Sequence, residues 1–125
     1  GAPGLEFLTP PGMTTPTVYC RVARANGTSR IFTSTITSPE PGDAIAQTRE
    51  VFRLLGGILE HSGSDFEHLA KATYFVTDDA ASKALGELRP LHYNPMRPPA
   101  ASKATVPSTG VAGRMLSLDM IAVPK

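Results

Sequence analysis

Apolar and polar positions change their spacing several times along the chain, and each change marks an element. Residues 17–24 and 29–37 alternate like β-strands and flank Asn26-Gly27, a pair that tolerates the positive φ angles of a tight turn. This pattern predicts a β-hairpin. From residue 43 to about 61 the spacing becomes helical, with Asp43 as a plausible N-cap and Gly63 as a terminator. The apolar stripe of this helix contains Ile45, Thr48, Val51, Phe52, Leu55, Ile58 and Leu59.

The second half of the chain repeats the alternation of strand and helix. Residues 68–78 are β-rich, residues 79–92 have helical spacing, and a short strand near 101–106 precedes a closing strand at about 114–123. The predicted order is ββαβαββ. This order is typical of an α+β domain in which two helices cover one face of a mixed sheet.

Two of the predicted strands are apolar on both faces. In the closing strand, Leu116, Leu118, Met120 and Ala122 point one way, whereas Met115, Ser117, Asp119, Ile121 and Val123 point the other. Since two helices cover a single face, the other face needs a partner surface. The pattern therefore predicts that the chain oligomerises through its sheet.

Length and composition narrow the class of protein. The 125 residues suit one domain, expected over residues 13–125, and residues 1–12 resemble a tag remnant with a loose lead-in rather than a signal peptide. The net charge of +1, from scattered basic residues, argues against a nucleic-acid partner, and the apolar runs are too short for a membrane span. Cys20 is the single cysteine, which favours a reducing, cytoplasmic location.

Candidate chemistry is sparse. The three histidines, His61, His68 and His92, lack the ligand spacing of a metal site. Tyr19 and Ser34 lie on the predicted hairpin, as site hydroxyls or as an ordinary edge tyrosine and strand serine. Asp119 is a carboxylate in an apolar strand, and it is either a site residue or half of a structural ion pair.

Three segments together resemble the YjgF/RidA (reactive intermediate deaminase) family, also called L-PSP endoribonucleases. They are AIAQTREVFRLLGGIL, HSGSDFEHLAKATYFVTD and the terminal DMIAV, and the resemblance extends from about residue 19 to residue 123. It implies a chorismate-mutase-like fold and a homotrimer with small-molecule ligand sites in clefts between subunits. It also implies hydrolysis of enamines or imines to keto acids and ammonia, without metal or organic cofactor.

The resemblance also assigns roles to positions. The family's carboxylate-gripping arginine falls at Ala101, its last-strand carboxylate at Ser117, and its helix-borne asparagine near Ala84 or Leu85. The strand tyrosine and serine match Tyr19 and Ser34. The chain thus has the hydroxyls but lacks the arginine, the carboxylate and the amide, which implies a divergent member with an altered substrate or a role in binding.

Substitutes for the missing groups lie nearby in the sequence. Arg97 lies four residues before Ala101, as a replacement cation or as the exposed lip of a proline turn, and Lys103 is a second candidate cation. Asp119 is a candidate for the missing carboxylate on the same face as Ser117. A two-residue shift in aligning the last strand exchanges the roles of Ser117 and Asp119.

Three functional hypotheses follow. The first is a divergent deaminase in which Ser34 and Asp119 are catalytic and Tyr19, Arg97, Ala101, Lys103 and Ser117 line the ligand site. The second is a non-catalytic trimer that binds or senses a small metabolite. The third is a ribonuclease, which the absence of a basic and aromatic patch disfavours.

Overall fold

The fold consists of two helices packed on a mixed sheet, with a smaller sheet beside it. A computed structural model describes residues 4–125. The elements are β1 (Leu5–Leu8), β2 (Val22–Ala25), β3 (Ile31–Phe32), β4 (Ile36–Thr37), α1 (Ala44–His61), β5 (Leu69–Val76), α2 (Asp79–His92), β6 (Ala100–Thr105) and β7 (Leu116–Ala122). A short 3₁₀ turn, Phe66–His68, leads into β5. The predicted α+β class, with two helices on a mixed sheet, is confirmed.

Both helices begin where local capping predicts. The Asp43 carboxylate accepts a hydrogen bond from the Ala46 amide at 2.8 Å, and Asp78 caps α2 through the Ala81 amide at 2.9 Å. The first helix ends just before Gly63, whose φ of +80° belongs to the left-handed region that glycine tolerates. The second helix includes Pro90 in its last turn and ends at His92.

The predicted hairpin is wrong. Val22–Ala25 pairs antiparallel with Leu5–Leu8, whereas β3 and β4 both pair with β7. Leu5 is 1% exposed and packs with Ala70 and Val123, so burial of this side chain favours the N-terminal strand as the partner of β2. The expected loose lead-in is therefore wrong for Leu5–Leu8, and residues 1–3 lie outside the described residues.

The five-stranded sheet has the order β3-β7-β5-β6, with β4 also paired to β7. β5 pairs in parallel with β6 and antiparallel with β7. The face towards the helices carries the core, which includes Tyr74, Leu118 and Met120. The opposite face carries the alternate positions, among them Ser117, Asp119 and Ile121, as the strand alternation predicted. Among residues 4–125, no helix is both long and apolar enough to cross a membrane.

Candidate functional site

A cleft of about 340 Å³ lies at the edge of β6, on the helical side of the sheet. Its lining comes from three parts of the chain: the segment before β2, the strands β5 and β6, and the last turn of α2. The lining residues are Tyr19, Arg21, Tyr74, Arg89, Ala101, Ser102 and Lys103. The cleft therefore combines two phenols with three cationic side chains.

The floor of the cleft is a buried tyrosine pair covered by an arginine. Tyr74 in β5 is fully buried, and its hydroxyl lies 2.5 Å from that of Tyr93 just after α2. The guanidinium carbon of Arg89 lies 5.3 Å from the centroid of the Tyr74 ring. Burial raises the pKa of Tyr74 to about 12, although its hydrogen bond to Tyr93 and the Arg89 charge act in the opposite direction. Tyr74 is thus a neutral phenol at the base of the cleft.

The wall before β2 is attached to the edge of the sheet. The Cys20 amide donates to the Pro99 carbonyl at 2.9 Å, and Cys20 forms a parallel bridge with Ala100. Tyr19 and Arg21 flank this buried cysteine and, two residues apart in extended backbone, both reach the cleft. The Arg21 guanidinium lies 5.5 Å from the centroid of the Tyr19 ring.

Strand β6 supplies Ala101 and Lys103 to the same cleft. They pair with Ala72 and Tyr74 of β5, whose side chains face the helices, so they face that way as well. The Lys103 ammonium donates to the Ser82 hydroxyl of α2 at 2.7 Å. The structure therefore brings together Tyr19, Ala101 and Lys103, three of the predicted site residues.

Arg97 lies outside this cleft and contacts residues of the 3₁₀ turn and β1. Its Nε donates to the Glu67 carbonyl at 2.9 Å, and its guanidinium lies 5.0 Å from the Phe7 ring centroid. It does not line the cleft beside Ala101. Within one chain, Arg97 fastens the 3₁₀ turn and β1, which does not favour the prediction that it replaces a carboxylate-binding arginine.

The predicted catalytic residues and Ser117 lie apart from this cleft within one chain. Ser34 is exposed in the break between β3 and β4. Asp119 and Ser117 lie opposite Thr73 and Phe75 of β5, on the face of the sheet that the helices leave uncovered. Only a neighbouring subunit would add these groups to a cleft on the helical side.

Sequence reasoning missed Arg89 and Arg21, although each had a signal. Arg89 follows Ala81 and Leu85 at helical spacing of four, so it is a cation on the apolar stripe of α2. Arg21 follows Tyr19 by two residues in extended chain, which places both on one face. The positions of the predicted amide, Ala84 and Leu85, are both buried in the core side of α2.

The charge of the cleft is not balanced from within. Arg21 donates to the Thr14 carbonyl and hydroxyl, each at 3.3 Å, and Lys103 donates to a serine, so their hydrogen-bond partners are neutral. The buried Nε of Arg89 has no hydrogen-bond partner within residues 4–125. None of the three forms an ion pair in that part of the chain, whereas Arg24 and Arg53 pair with Glu6 and Glu50. The site is thus a positively charged pocket.

His68 and His92 make contacts other than metal coordination. His68 Nδ1 lies 2.6 Å from an Asp65 carboxylate oxygen, and the His92 ring stacks on Phe52 with centroids 4.7 Å apart. Across residues 4–125, no three His, Cys, Asp or Glu side chains lie close enough to hold a metal ion together.

Comparison with known sequences gives one relative and no family model. Protein DfrA from Myxococcus xanthus is 34% identical over 83 residues, which is 66% of this chain. The aligned part spans 61% of that relative's own length. No protein-family model matches the sequence.

Comparison with solved structures identifies the fold. YyfB of the conserved Rid protein family from Yersinia pestis, a protein of unknown function, superposes with a TM-score of 0.85 at 15% identity, covering 95% of this chain and 98% of that one. A member of the YjgF protein family from Neisseria meningitidis has a TM-score of 0.72 at 20% identity, covering 100% and 98%. Yeast Mmf1 has a TM-score of 0.70 at 23% identity, covering 99% and 98%. The chain has the fold of the YjgF/Rid proteins, so the predicted resemblance is confirmed at the level of the fold.

Proposed function

We propose that this chain is a divergent YjgF/Rid-type protein that binds a small anionic metabolite in the cleft at the edge of β6. The charge of the cleft is the main support. Arg21, Arg89 and Lys103 converge there, and no carboxylate is among the described lining residues. A guanidinium offers a planar pair of donors that matches a carboxylate, so an anion suits the cleft better than a neutral ligand does.

Relocation of the cation explains how a cleft with alanine at position 101 still binds an anion. The resemblance places the carboxylate-gripping arginine of active members at Ala101, where this chain offers a methyl group. Ala101 and Arg89 line the same cleft. This shared lining supports the proposal that Arg89, over the Tyr74 ring, takes the role that the resemblance gives to an arginine of β6.

Assembly into a homotrimer is part of this proposal. The sheet face opposite the helices carries Phe75 and Ile121, both half-buried, and Phe32, paired with Ile121, is 71% exposed. A partner that covers this face buries apolar area that one chain leaves in water. The expected mass in solution is three times the 13.2 kDa of one chain, and Ile121→Glu is expected to dissociate the assembly. Light scattering coupled to size exclusion tests this, and a monomeric wild type would contradict it.

Hydrolysis of an imine or enamine is the second candidate. In that reaction water adds to the carbon of the C=N bond and the nitrogen leaves as ammonia, giving a keto acid. Tyr19 in the cleft favours it, because a phenol can hydrogen-bond the attacking water. Ser34 and Asp119 would have to come from a neighbouring subunit.

We place the protein in a reducing compartment such as the cytoplasm, because Cys20 is free and buried.

Two measurements separate binding from catalysis. Calorimetric titration with butyrate, a simple monoanion, is expected to show binding that weakens in Lys103→Gln, because this variant removes one positive charge from the cleft. Ammonia release from enzymatically generated 2-aminoacrylate then tests for catalysis. Binding without ammonia release would assign a non-catalytic role, and release that falls in Tyr19→Phe would support the hydrolase. A cleft that binds neither butyrate nor any other small anion, in a protein that releases no ammonia, would refute the proposed function.

A further inference from the structure

We infer that the ligand of this cleft carries two separate anionic groups, as a small dicarboxylate does, and that Arg89 and Arg21 each bind one of them. This inference rests on the proposed anion-binding function and specifies its ligand class. Arg89 and Arg21 come from different elements, α2 and the segment before β2.

Each arginine is held by its own tyrosine. Arg89 lies over Tyr74 and Arg21 lies over Tyr19, with guanidinium-to-centroid distances of 5.3 Å and 5.5 Å. A guanidinium on an aromatic face has a restricted orientation. The Nε and Nη2 of Arg21 donate to Thr14, which leaves its Nη1 available to a ligand. The cleft thus presents two oriented guanidinium groups on two different aromatic supports.

The balance of charge favours a dianion over a monoanion. Three cations line the cleft, and a monoanion leaves two positive charges in a partly enclosed space where their repulsion is only weakly screened. By contrast, Arg24 and Arg53 pair with carboxylates, and Arg114 donates to the carbonyls of Ser38, Pro39 and Ala112. Arg89 has no carboxylate partner within residues 4–125, so a carboxylate of the ligand is free to pair with its charge.

Lys103 contributes to ligand binding in a different way from the two arginines. Its ammonium is exposed and donates to Ser82 at 2.7 Å, so it adds positive charge at the mouth of the cleft rather than an oriented fork. Loss of Lys103 should therefore weaken binding of monoanions and dianions by a similar factor. Loss of either arginine should weaken dianions more.

The test compares succinate with butyrate, which have the same four-carbon chain and differ in one carboxylate. Calorimetric titration of the full, assembled protein is expected to give at least about tenfold tighter binding of succinate, since one charged hydrogen-bonded contact is added. Arg89→Gln and Arg21→Gln should each remove most of this preference. Arg89→Lys, which keeps the charge but loses the fork, should retain only part of it.

Arg53→Gln is the matched control, because Arg53 is an exposed arginine on α1 paired with Glu50. Its succinate affinity should equal that of the wild type. Circular dichroism verifies that each variant is folded, and Arg21→Gln tests the inference if Arg89→Gln does not fold. Equal affinity for succinate and butyrate, or inorganic phosphate binding more tightly than succinate, would overturn the requirement for two separate groups while leaving anion binding intact. Failure of butyrate, succinate and phosphate to bind would remove the proposed function as well.

Discussion

The hydroxyl oxygens of Tyr74 and Tyr93 lie 2.5 Å apart beneath the Arg89 guanidinium, and both side chains are buried. This pair links the central strand β5 to the end of α2. A buried phenol needs a partner for its hydroxyl, and here one tyrosine hydroxyl donates to the other. The cleft therefore rests on a floor that is polar, neutral and fixed in place by the core.

Replacing Tyr93 with phenylalanine tests how firmly this floor is held. Tyr93→Phe keeps the ring but leaves the buried Tyr74 hydroxyl without its partner, so we expect a loss of about 1–3 kcal/mol in the free energy of unfolding. Urea denaturation measures it. Tyr19→Phe, at the half-exposed wall, should change stability by less than about 0.5 kcal/mol. Equal effects of the two variants would contradict the role of the pair.

The same pair predicts behaviour in alkali. Burial raises the pKa of Tyr74 to about 12 from an ordinary value of 10.0, and it raises the pKa of Tyr93 well above that value. The unfolded chain therefore loses these protons first, so stability is fully present below pH 10 and falls as pH rises from there towards the folded-state values. Phenolate absorbance should show Tyr74 and Tyr93 ionising together with unfolding. If both tyrosines ionised while the far-UV circular dichroism stayed native, the coupling of their ionisation to unfolding would be contradicted.

We expect His92 to make the free energy of unfolding depend on pH near neutrality. Its ring stacks on Phe52, and burial lowers its pKa below the ordinary value of 6.5. The unfolded state therefore binds the proton first, so stability is complete above pH 6.5 and declines as pH falls below it. His92→Phe keeps an aromatic ring without a titrating group, and its free energy of unfolding should fall less over this window. His61→Gln, exposed at the end of α1, is the control and should retain the wild-type slope.

Cys20 should react slowly while the protein is folded. It is 7% exposed at the edge of β6, and burial raises the pKa of its thiol, so little thiolate is present at neutral pH. We expect labelling by a chromogenic disulfide reagent to follow unfolding, with rapid reaction in denaturant and no signal in Cys20→Ser. Rapid stoichiometric labelling of the folded wild type would instead indicate that the segment before β2 detaches readily.

Gln47 holds α1 against the loop that precedes β7. Its amide donates to the carbonyls of Gly42 and Gly113 at 2.8 and 3.0 Å, and its carbonyl accepts from the Met115 amide at 2.9 Å. Gln47→Leu fills similar space but leaves these backbone groups unpaired, which should cost at least about 2 kcal/mol of unfolding free energy in urea titration. Arg49→Ala, exposed two residues away, should cost little. A cost for Gln47→Leu no larger than that of Arg49→Ala would be inconsistent with this account.

Sequence patterns predicted the features that are determined locally. Asp43, Asp78 and Gly63 act within a turn or two of themselves, so both helices were predictable from spacing and capping. The hairpin was not, because β2 had two possible partners and the burial of Leu5 selects one of them. Such competition between distant segments leaves no mark on the local alternation of residues.

The residues of the candidate site also fall into two groups, those that the sequence predicted and those that only the fold reveals. Tyr19, Ala101 and Lys103 were placed by resemblance to a fold, and they share the cleft. Arg97 was selected for its proximity in sequence, but its partners Glu67 and Phe7 lie at least thirty residues away. Arg89 lies fifteen residues after Tyr74 and reaches its ring because α2 returns across the sheet. A position on the apolar stripe was the signal for Arg89, and it was visible before the fold was known.

The last strand in chain order occupies the interior of the sheet. β7 pairs with β3, β4 and β5, so the pairing of β3 and β4 and one edge of β5 depends on Leu116–Ala122. During synthesis, a nascent chain that has emerged as far as β6 holds both helices and an apolar surface with no strand to close it. The native sheet can therefore form only after Leu116–Ala122 has emerged, and until then the apolar face of the sheet is open to aggregation and to chaperones.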